Sequence, residues 1–247
     1  MRERETLIRS PRHRAPVPDV SVVIPTRNEA ASIGAVIDEV RTALGGRDVE
    51  ILTVDTESVD ATITIAAAAG ARVIAEPRRG YGRAYKTGFA AAQAPVVLTL
   101  DADLTYPADR FPDFLEALEA GRADFVAGDR LSRLSPGAMT GMHRVGNELL
   151  NLAFRLLFHF PIRDSQSGMW AFRRDLLPRL ELLHDGMAFS EELKLEVIRR
   201  GFRYLEIPIE YRVRVGEKKI RSLPDAASNL VWLFRKRFGW VPRTRRG

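Results

Sequence analysis

The 247-residue sequence predicts a single α/β domain built on a mostly parallel sheet flanked by helices, the architecture of a Rossmann-like fold, with a basic and aromatic helix at its C-terminus. Short β-branched runs alternate with segments of helical spacing between residues 20 and 100, a pattern typical of βαβ units. Hydrophobic residues make up 45% of the chain and charged residues 28%, which provides enough apolar side chains for a sizeable core. The sequence has no cysteine, which excludes disulfides and thiolate metal sites.

The individual elements follow from the spacing of apolar residues. In the first half we expect strands at 20–26, 50–55, 72–75 and 95–100, and helices at 31–44, 62–69 and 81–93. In the second half we expect strands at 124–127 and 204–211, and helices at 111–118, 145–160, 190–200 and 226–238. In parallel sheets of this kind, ligands bind beyond the carboxyl ends of the strands.

The net charge of +6 lies at the two ends of the chain. Residues 1–18 carry +3 and residues 235–247 carry +6, whereas the segment between them carries −3. A nucleic-acid enzyme would carry its positive charge across the folded body, so we expect no nucleic-acid partner. The predicted organisation is a basic arm at 1–18, a globular domain at 19–222, and a basic amphipathic helix and tail at 223–247.

The sequence shows neither a secretory signal nor a membrane span. The N-terminal segment is rich in arginine and lacks an apolar stretch, unlike a signal peptide. No run reaches the roughly 18 apolar residues that a spanning helix needs. Together with the absence of cysteine, this favours a cytoplasmic protein.

Polar and acidic residues follow three of the predicted strands. They are Pro25, Thr26, Asn28 and Glu29 after the first strand, Asp55 at the end of the second, and Asp101, Ala102 and Asp103 after the fourth. Because neighbouring parallel strands end at one edge of the sheet, these carboxylates would repel each other unless a cation offsets their charge. A divalent ion that bridges a phosphate-bearing ligand is one solution.

Residues 78–86 (RRGYGRAYK) form a glycine-punctuated basic loop that leads into a helix. Helix N-termini and glycine-rich turns attract phosphate, and Arg83 and Lys86 add positive charge after Gly80. Because the loop follows the third strand and not the first, it is not a dinucleotide-binding fingerprint. It is a candidate phosphate site, with a solvated turn as the alternative.

Eight segments carry a resemblance to a known family. VVIPTRNE (22–29), VDTESVDAT (54–62), RGYGRAYKTGF (79–89) and DADLTYP (101–107) together resemble the family 2 glycosyltransferases with the GT-A fold. AGDR (127–130), DSQSG (164–168), FSEE (189–192) and RVGEKKI (214–220) look like the dolichyl-phosphate mannose synthase branch, the polyprenyl-phosphate sugar transferases. The resemblance covers about residues 20–222 and is specific as a set.

The resemblance implies a nucleotide-sugar donor and a divalent metal. The donor would be held by the polar residues after the first two strands, named above. Asp101 and Asp103 match the family's Asp-x-Asp, with Asp103 the direct ligand of Mg²⁺ or Mn²⁺. Thr105 stands where close relatives often carry Gln. That Gln would be one of the metal ligands, and in this chain water would take its place.

Basic residues would contact the phosphates in a protein of this family. Arg130 matches an arginine that contacts the phosphates or the sugar, although Asp129 stands where Ser is usual. Arg214 and Lys219 fall in a mobile basic loop that closes over the diphosphate, and Arg212 is the alternative to Arg214. Such cations would stabilise the departing nucleoside diphosphate.

Acidic and amide residues would shape the acceptor side. Asp164 and Gln166 lie in the segment where the family forms the acceptor and sugar site. Glu191 and Glu192 align with the acidic pair that supplies a general base in transferases acting on hydroxyls. Adjacent helical residues point about 100° apart, so only one of the two can face the cleft. A phosphate acceptor is already an anion near pH 7 and would need little help from a base.

These residues predict an inverting, metal-dependent glycosyltransferase that moves a hexose from a UDP- or GDP-sugar to a polyprenyl phosphate. One alternative is the same chemistry on a soluble acceptor, either a phosphorylated metabolite or a small molecule of a secondary pathway. Another is a nucleotide-sugar-binding module without catalysis. The sequence leaves the donor base, the transferred sugar and the oligomeric state open.

The segment 229–240 (NLVWLFRKRFGW) combines aromatic and basic residues, and three more arginines follow it. Helices of this kind lie at anionic bilayer surfaces. We therefore predict salt-sensitive docking of this tail on the inner face of the membrane. The alternative is a helix whose aromatic residues cap the core while its arginines are solvated.

Overall fold

The computed structural model describes residues 17–216 and 222–239. The strands in this part of the chain are β1 (Val20–Thr26), β2 (Val49–Asp55), β3 (Arg72–Ala75), β4 (Val96–Thr99), β5 (Phe125–Leu134), β6 (Trp170–Arg173) and β7 (Tyr204–Tyr211). The α-helices are α1 (Ile33–Ala43), α2 (Thr62–Ala68), α3 (Tyr81–Ala91), α4 (Phe111–Glu119), α5 (Gly141–Phe158), α6 (Phe189–Arg199) and α7 (Ser222–Phe238).

The described strands form one sheet in the order β3-β2-β1-β4-β6-β5-β7. β1 is parallel to β2 and β4, and β2 is parallel to β3. β6 is antiparallel to both of its neighbours, β4 and β5, and β7 is parallel to β5. The predicted α/β fold with a mostly parallel sheet is confirmed, with one antiparallel strand inserted into it.

Apolar layers cover both faces of the sheet. Along β1, Val22 and Ile24 pack into the layer that α1 and α4 contribute. Val23, between them, packs into the layer of α3 and α6. Because both faces of β1 are buried, this strand is a continuous apolar run and does not alternate with polar residues.

Two strands differ from the expectation. β6 (Trp170–Arg173) was not predicted from the sequence. β5 was predicted to end at Ala127 but continues to Leu134. Its additional residues are largely polar, and their pairing with β7 shifts register between Asp129 and Arg133, as at a β-bulge.

Two helices begin four residues earlier than predicted. α5 starts at Gly141, where the Thr140 side chain accepts a hydrogen bond from the backbone N–H of His143, whereas the apolar spacing begins only at Val145. α7 starts at Ser222 and not at residue 226. α5, α6 and α7 pack together through Phe154, Leu195 and Leu233. In the described ranges, no helix combines the length and apolarity needed to cross a bilayer.

Candidate active site

The polar residues after β1 and β2 lie side by side, as predicted. Thr26 is in register with Asp55, and its hydroxyl donates to the Asp55 carboxylate at 3.2 Å. The Ser58 backbone N–H donates to the same carboxylate at 2.9 Å. Asn28 joins the two loops, because the Val59 N–H donates to its side-chain oxygen at 2.8 Å. The edge that follows β1, β2 and β4, with Glu29, Asp55, Asp101 and Asp103, is called the carboxylate edge below.

Asp103 is 4% exposed and is held from two sides. The backbone N–H and hydroxyl of Thr105 donate to Oδ1 at 3.1 and 2.6 Å. Arg214 Nη1 lies 2.9 Å from Oδ2 of Asp103, and Arg214 Nη2 lies 2.8 Å from Oε1 of Glu29. Arg212 instead pairs with Glu39 at 3.1 Å. The structure therefore brings Arg214, and not Arg212, to the carboxylate edge.

Asp101 lies against two tyrosine hydroxyls that the sequence did not identify. Tyr81 donates to its Oδ1 at 3.1 Å and Tyr85 at 3.4 Å. Burial, and then the nearby charge of Asp103, raise the pKa of Asp101 to about 7. Both tyrosines lie on the buried side of α3, four residues apart, a spacing that sequence analysis assigns to a helix core. Ala102, between the two aspartates, is buried and accepts from the Ser32 hydroxyl at 2.6 Å.

The chemistry of the carboxylate edge fits a divalent cation that is shared with a phosphate ligand. In the part of the chain that the structure describes, no group of three or more His, Asp or Glu residues is arranged to hold a metal ion. Mg²⁺ in phosphate-transfer sites commonly takes only one or two carboxylates, and waters and phosphate oxygens complete its shell. Asp103, with support from Asp101, offers that number. The guanidinium of Arg214 already balances the charge of Asp103 in this structure.

The glycine-punctuated loop leads into α3 as predicted, but Arg83 and Lys86 both face one acidic residue. Gly80 has φ of 147°, and a Cβ at this position would collide with the Asp185 carbonyl. Arg83 Nη2 lies 2.6 Å from Asp185 Oδ2, and Lys86 pairs with the same carboxylate. The structure thus groups Arg83 and Lys86 with Asp185 and not with the carboxylate edge.

Arg130 and Asp164 form a buried bidentate ion pair. Arg130 Nε and Nη2 donate to the two Asp164 oxygens at 2.7 and 2.8 Å, and the side chains are 9% and 0% exposed. Burial raises the pKa of Asp164, but the charge of Arg130, its hydrogen bonds and the charge of Lys194 together outweigh burial and hold that pKa below its ordinary value. Lys194, which the sequence analysis missed, donates to the Asp164 backbone carbonyl at 2.6 Å. Burial lowers the pKa of Lys194 to about 8.

Glu191 faces the candidate site and Glu192 faces away from it. Gln166 Nε2 donates to Glu191 Oε2 at 2.7 Å, and burial raises the pKa of Glu191 well above its ordinary value. Glu192 accepts from the backbone N–H groups of Leu183 and His184. Of the two glutamates, Glu191 is therefore the one that lies against Gln166, a choice that the sequence left open.

A cavity of about 420 Å³ lies next to these groups. Arg130, Gln166, Arg214 and Asn229 supply polar atoms to its wall. Its apolar lining comes from Met139, Met142, Leu150, Met187, Val213 and Ala226. Lys219 was predicted to be part of the basic loop, but residues 217–221 lie outside the described residues.

The sequence profile described as glycosyl transferase family 2 matches residues 21–180. The chain belongs to this family. This family 2 glycosyltransferase is 37% identical over 210 residues to a dolichyl-phosphate hexose transferase of Haloferax volcanii, covering 85% of the chain and 90% of the relative. It is 35% identical over 212 residues to the low-salt glycan biosynthesis hexosyltransferase Agl6 of the same organism. That match covers 84% of the chain but only 51% of Agl6, so the chain spans about half the length of that relative.

The glycosyltransferase shares its fold with glucosyl-3-phosphoglycerate synthase from Mycobacterium tuberculosis, solved with Mn²⁺, UDP-glucose and phosphoglyceric acid. The TM-score is 0.74 at 24% identity, with 92% of this chain and 82% of the other covered. The predicted GT-A fold and the resemblance to the polyprenyl-phosphate sugar transferases are confirmed. Because these relatives are transferases, the comparisons favour an enzyme over a non-catalytic binding module.

Proposed function

We propose that this glycosyltransferase moves a hexose from a nucleoside-diphosphate sugar to a polyprenyl phosphate, with inversion at the anomeric carbon and with the help of Mg²⁺ or Mn²⁺. One observation carries the proposal. The cavity beside the carboxylate edge combines a polar wall that contains the buried Arg130 with an apolar wall of methionine, leucine and valine side chains. A polyprenyl phosphate has the matching chemistry, an anionic head on an apolar chain. The name of the dolichyl-phosphate hexose transferase relative supports the same acceptor class.

The donor nucleotide is assigned to the ends of β1 and β2. Asp55 is 3% exposed, and carboxylates at such strand ends accept from ribose hydroxyls or base N–H groups. Asp103, with Asp101 behind it, is the group that would hold the divalent ion. When bound, that ion would neutralise negative charge on the diphosphate. Pro25, Thr26, Asn28 and Glu29 complete the proposed donor side.

The proposed reaction is a single in-line displacement. An oxygen of the acceptor phosphate attacks the anomeric carbon, and the bond from that carbon to the diphosphate oxygen breaks as the new bond forms. The phosphate is already ionised near pH 7, so Glu191 is not needed as a base. Arg214 stabilises negative charge that develops on the leaving group, while Arg130 orients the attacking phosphate. Asp164 is buried and fully engaged with Arg130, so we assign it the positioning of that arginine and not direct contact with substrate.

The test is a panel of UDP- and GDP-hexoses assayed for transfer to a short-chain polyprenyl phosphate, with glycerol 3-phosphate and phosphoglycerate as soluble acceptors. We expect one nucleotide sugar to be used with the lipid acceptor in the presence of Mn²⁺ or Mg²⁺, and product of inverted configuration. Transfer to a soluble acceptor alone would replace the lipid assignment by the soluble alternative. Product of retained configuration would overturn the displacement step.

We also propose that the protein docks on the anionic inner face of the membrane through α5 and α7. Apolar residues on α5, spaced three and four residues apart, are about half exposed or more. They are Met142, Val145, Leu149, Leu152 and Leu156. On α7, which packs against α5, the aromatic residues Phe234 and Phe238 are also exposed. Exposed apolar residues beside arginines are suited to a peripheral helix.

Arg235 and Arg237 are the exposed cations in the described part of the basic tail. Each such residue near an anionic surface contributes about 1 kcal/mol. We expect the intact protein to sediment with anionic vesicles at low salt and to be released at high salt. Combining Arg235→Gln with Arg237→Gln should weaken this binding roughly 30-fold. Point substitutions are preferable to truncation, because Lys236 between them is buried against Glu192.

An apolar substitution separates lipid insertion from simple charge attraction. Leu149→Ser on α5 should weaken vesicle binding at every salt concentration, because it removes apolar surface and no charge. Ile63→Ser on α2 makes the same kind of change at another exposed apolar residue and should leave binding unchanged. If the intact protein ignores anionic vesicles at low salt, membrane docking is wrong.

A further inference from the structure

The C-terminal helix contributes a polar side chain to the cavity, outside the residues that the family profile matches. Asn229 of α7 is 4% exposed and lines the cavity together with Gln166 and Arg130. It lies 49 residues beyond the end of the matched segment at residue 180. The sequence analysis treated this helix only as a membrane-docking or core-capping element.

Asn229 is the end of a hydrogen-bonded chain that starts at Glu191. Glu191 Oε2 accepts from Gln166 Nε2 at 2.7 Å. Gln166 Oε1 in turn accepts from Asn229 Nδ2 at 2.7 Å. Because the amide nitrogen of Asn229 donates to Gln166, the amide oxygen Oδ1 points away from Gln166. Among the described residues, no donor reaches this buried oxygen.

The position of α7 is fixed by buried contacts on the same helix. Lys236 Nζ lies 2.9 Å from Glu192 Oε1 and 3.4 Å from Glu196 Oε1, and these side chains are at most 5% exposed. Leu233 packs against Phe154 and Leu195. Asn229 is therefore placed by a helix that is anchored on α6, which pre-organises its carboxamide for a ligand.

A buried acceptor without a protein donor is costly unless a bound ligand or water supplies one. Ionised phosphate and diphosphate oxygens only accept hydrogen bonds, and an isoprenoid chain neither donates nor accepts. The ribose and base donors of the nucleotide belong, in the proposed function, to the ends of β1 and β2, on the other side of β4 from β5 and β6. Among the groups of the two proposed substrates, the hydroxyls of the transferred hexose are therefore the donors that remain for Asn229.

We propose that Asn229 is a specificity-determining residue that accepts a hydrogen bond from one hydroxyl of the hexose, while Gln166 and Glu191 hold its carboxamide in place. This inference rests on the proposed function for the presence of a hexose in the site. It assigns the C-terminal helix a part in sugar selection. Each deoxy analogue is compared with the parent sugar in the unmodified protein and in the Asn229 variant. The recognised hydroxyl is the one whose removal weakens binding to the unmodified protein but not to the variant.

The test measures dissociation constants for the nucleotide sugar that the panel selects and for its analogues lacking one sugar hydroxyl each. For the unmodified protein, removal of the recognised hydroxyl should weaken binding roughly five- to thirty-fold. Asn229→Ala should weaken binding of the parent sugar by a similar factor. The variant should bind the deoxy analogue and the parent sugar with equal affinity. Transfer rates with the same donors should show the same loss of discrimination in kcat/KM.

Two controls keep the interpretation unambiguous. Ser228→Ala, at the exposed neighbouring position on α7, should leave every dissociation constant unchanged. Asn229→Leu keeps the volume of the side chain and removes both polar atoms, and thermal unfolding shows that each variant is folded. If the variants weaken all analogues by one common factor, Asn229 merely supports Gln166 and the proposal is overturned. It is equally overturned if the variants leave discrimination intact.

The binding measurement also separates this inference from the proposed function. Donor binding needs no acceptor, so a wrong acceptor assignment would leave the result for Asn229 unaffected. Conversely, transfer to polyprenyl phosphate by the unmodified protein together with unchanged discrimination in Asn229→Ala would refute only the sugar contact. Absence of binding by any nucleotide sugar would refute both.

Discussion

Asp103→Asn is expected to reduce kcat/KM for transfer roughly 10³-fold while leaving the protein folded. Asp103 Oδ2 lies 2.9 Å from Nη1 of Arg214, the cation that we propose contacts the diphosphate. The amide keeps the size of the side chain but has no negative charge with which to hold a divalent ion. The change also relieves the repulsion that contributes to the raised pKa of Asp101, so thermal stability should not fall.

The measurement combines turnover with metal binding. Electron paramagnetic resonance of Mn²⁺ should show a much weaker site in Asp103→Asn, and nucleotide affinity should no longer rise when Mn²⁺ is added. Asp38→Asn on α1, at an exposed carboxylate, makes the same substitution away from the carboxylate edge and should change neither quantity. Asp101→Asn should affect Mn²⁺ affinity less, because Asp101 is held by tyrosine hydroxyls behind Asp103. Turnover of Asp103→Asn at the unmodified rate in the presence of EDTA would disprove the metal assignment.

The central parallel strands β1, β2 and β4 were predictable because most of their residues are buried. β1 is an uninterrupted apolar run, and α1 shows apolar residues at Ile33, Val36, Ile37 and Val40, all of which are buried. Local sequence is sufficient in such cases, since one pattern satisfies both the propensity and the burial of the element. β6 escaped detection because its pairing with β4 and β5 joins residues far apart in sequence.

The carboxylate edge was predictable for a related reason. Strand ends in a parallel sheet meet at one edge, so strand order alone places Asp55 near the aspartates after β4. The side chains that support them were not predictable. Tyr81 and Tyr85 look like core residues of α3, and only the fold turns their hydroxyls to Asp101. Lys194 looks like a solvated helix residue, and its burial results from packing between α6 and the Asp164 loop.

The C-terminal helix shows the limit of charge patterns. Residues 235–237 are three consecutive basic residues that the sequence does not distinguish. The sequence suggested that all three are solvated or bound to a membrane. In the structure Arg235 and Arg237 are exposed whereas Lys236 is buried between Glu192 and Glu196. Which of three consecutive cations is buried depends on the helix phase relative to α6, and this phase is set by contacts that the local sequence does not reveal.

Asp164→Ala is expected to destabilise the folded protein by about 3–5 kcal/mol, because it leaves the guanidinium of Arg130 buried without its partner. Both Asp164 oxygens are occupied by Arg130, and neither side chain is more than 9% exposed. Glu116→Ala removes one partner of an exposed ion pair, in which Arg122 and Glu116 are 54% and 68% exposed. That control should change stability little, since water already screens the pair. Urea unfolding of the three proteins measures the difference.

The pH dependence of stability provides a second readout. The pKa of Asp164 is lower in the folded protein than its ordinary value of 3.8, so folding favours the ionised carboxylate. This contribution to stability is complete above the unfolded value and is lost as the pH falls through the folded pKa. The unmodified protein should therefore lose stability in acid more steeply than Asp164→Asn, whose side chain does not titrate. Equal acid dependence would show that the ion pair does not contribute to folding.

A double substitution separates the structural role of the pair from its role in transfer. Combining Arg130→Met with Asp164→Leu replaces the buried charges by apolar side chains of similar size, which commonly restores stability. Arg130 lines the cavity, so the double variant should unfold near the unmodified protein and yet remain defective in transfer, with KM for the acceptor raised more than the dissociation constant of the donor. Recovery of both stability and transfer would mean that Arg130 serves only the fold, and the acceptor phosphate would then have to be held by another cation at the cavity, of which Arg214 is the described candidate.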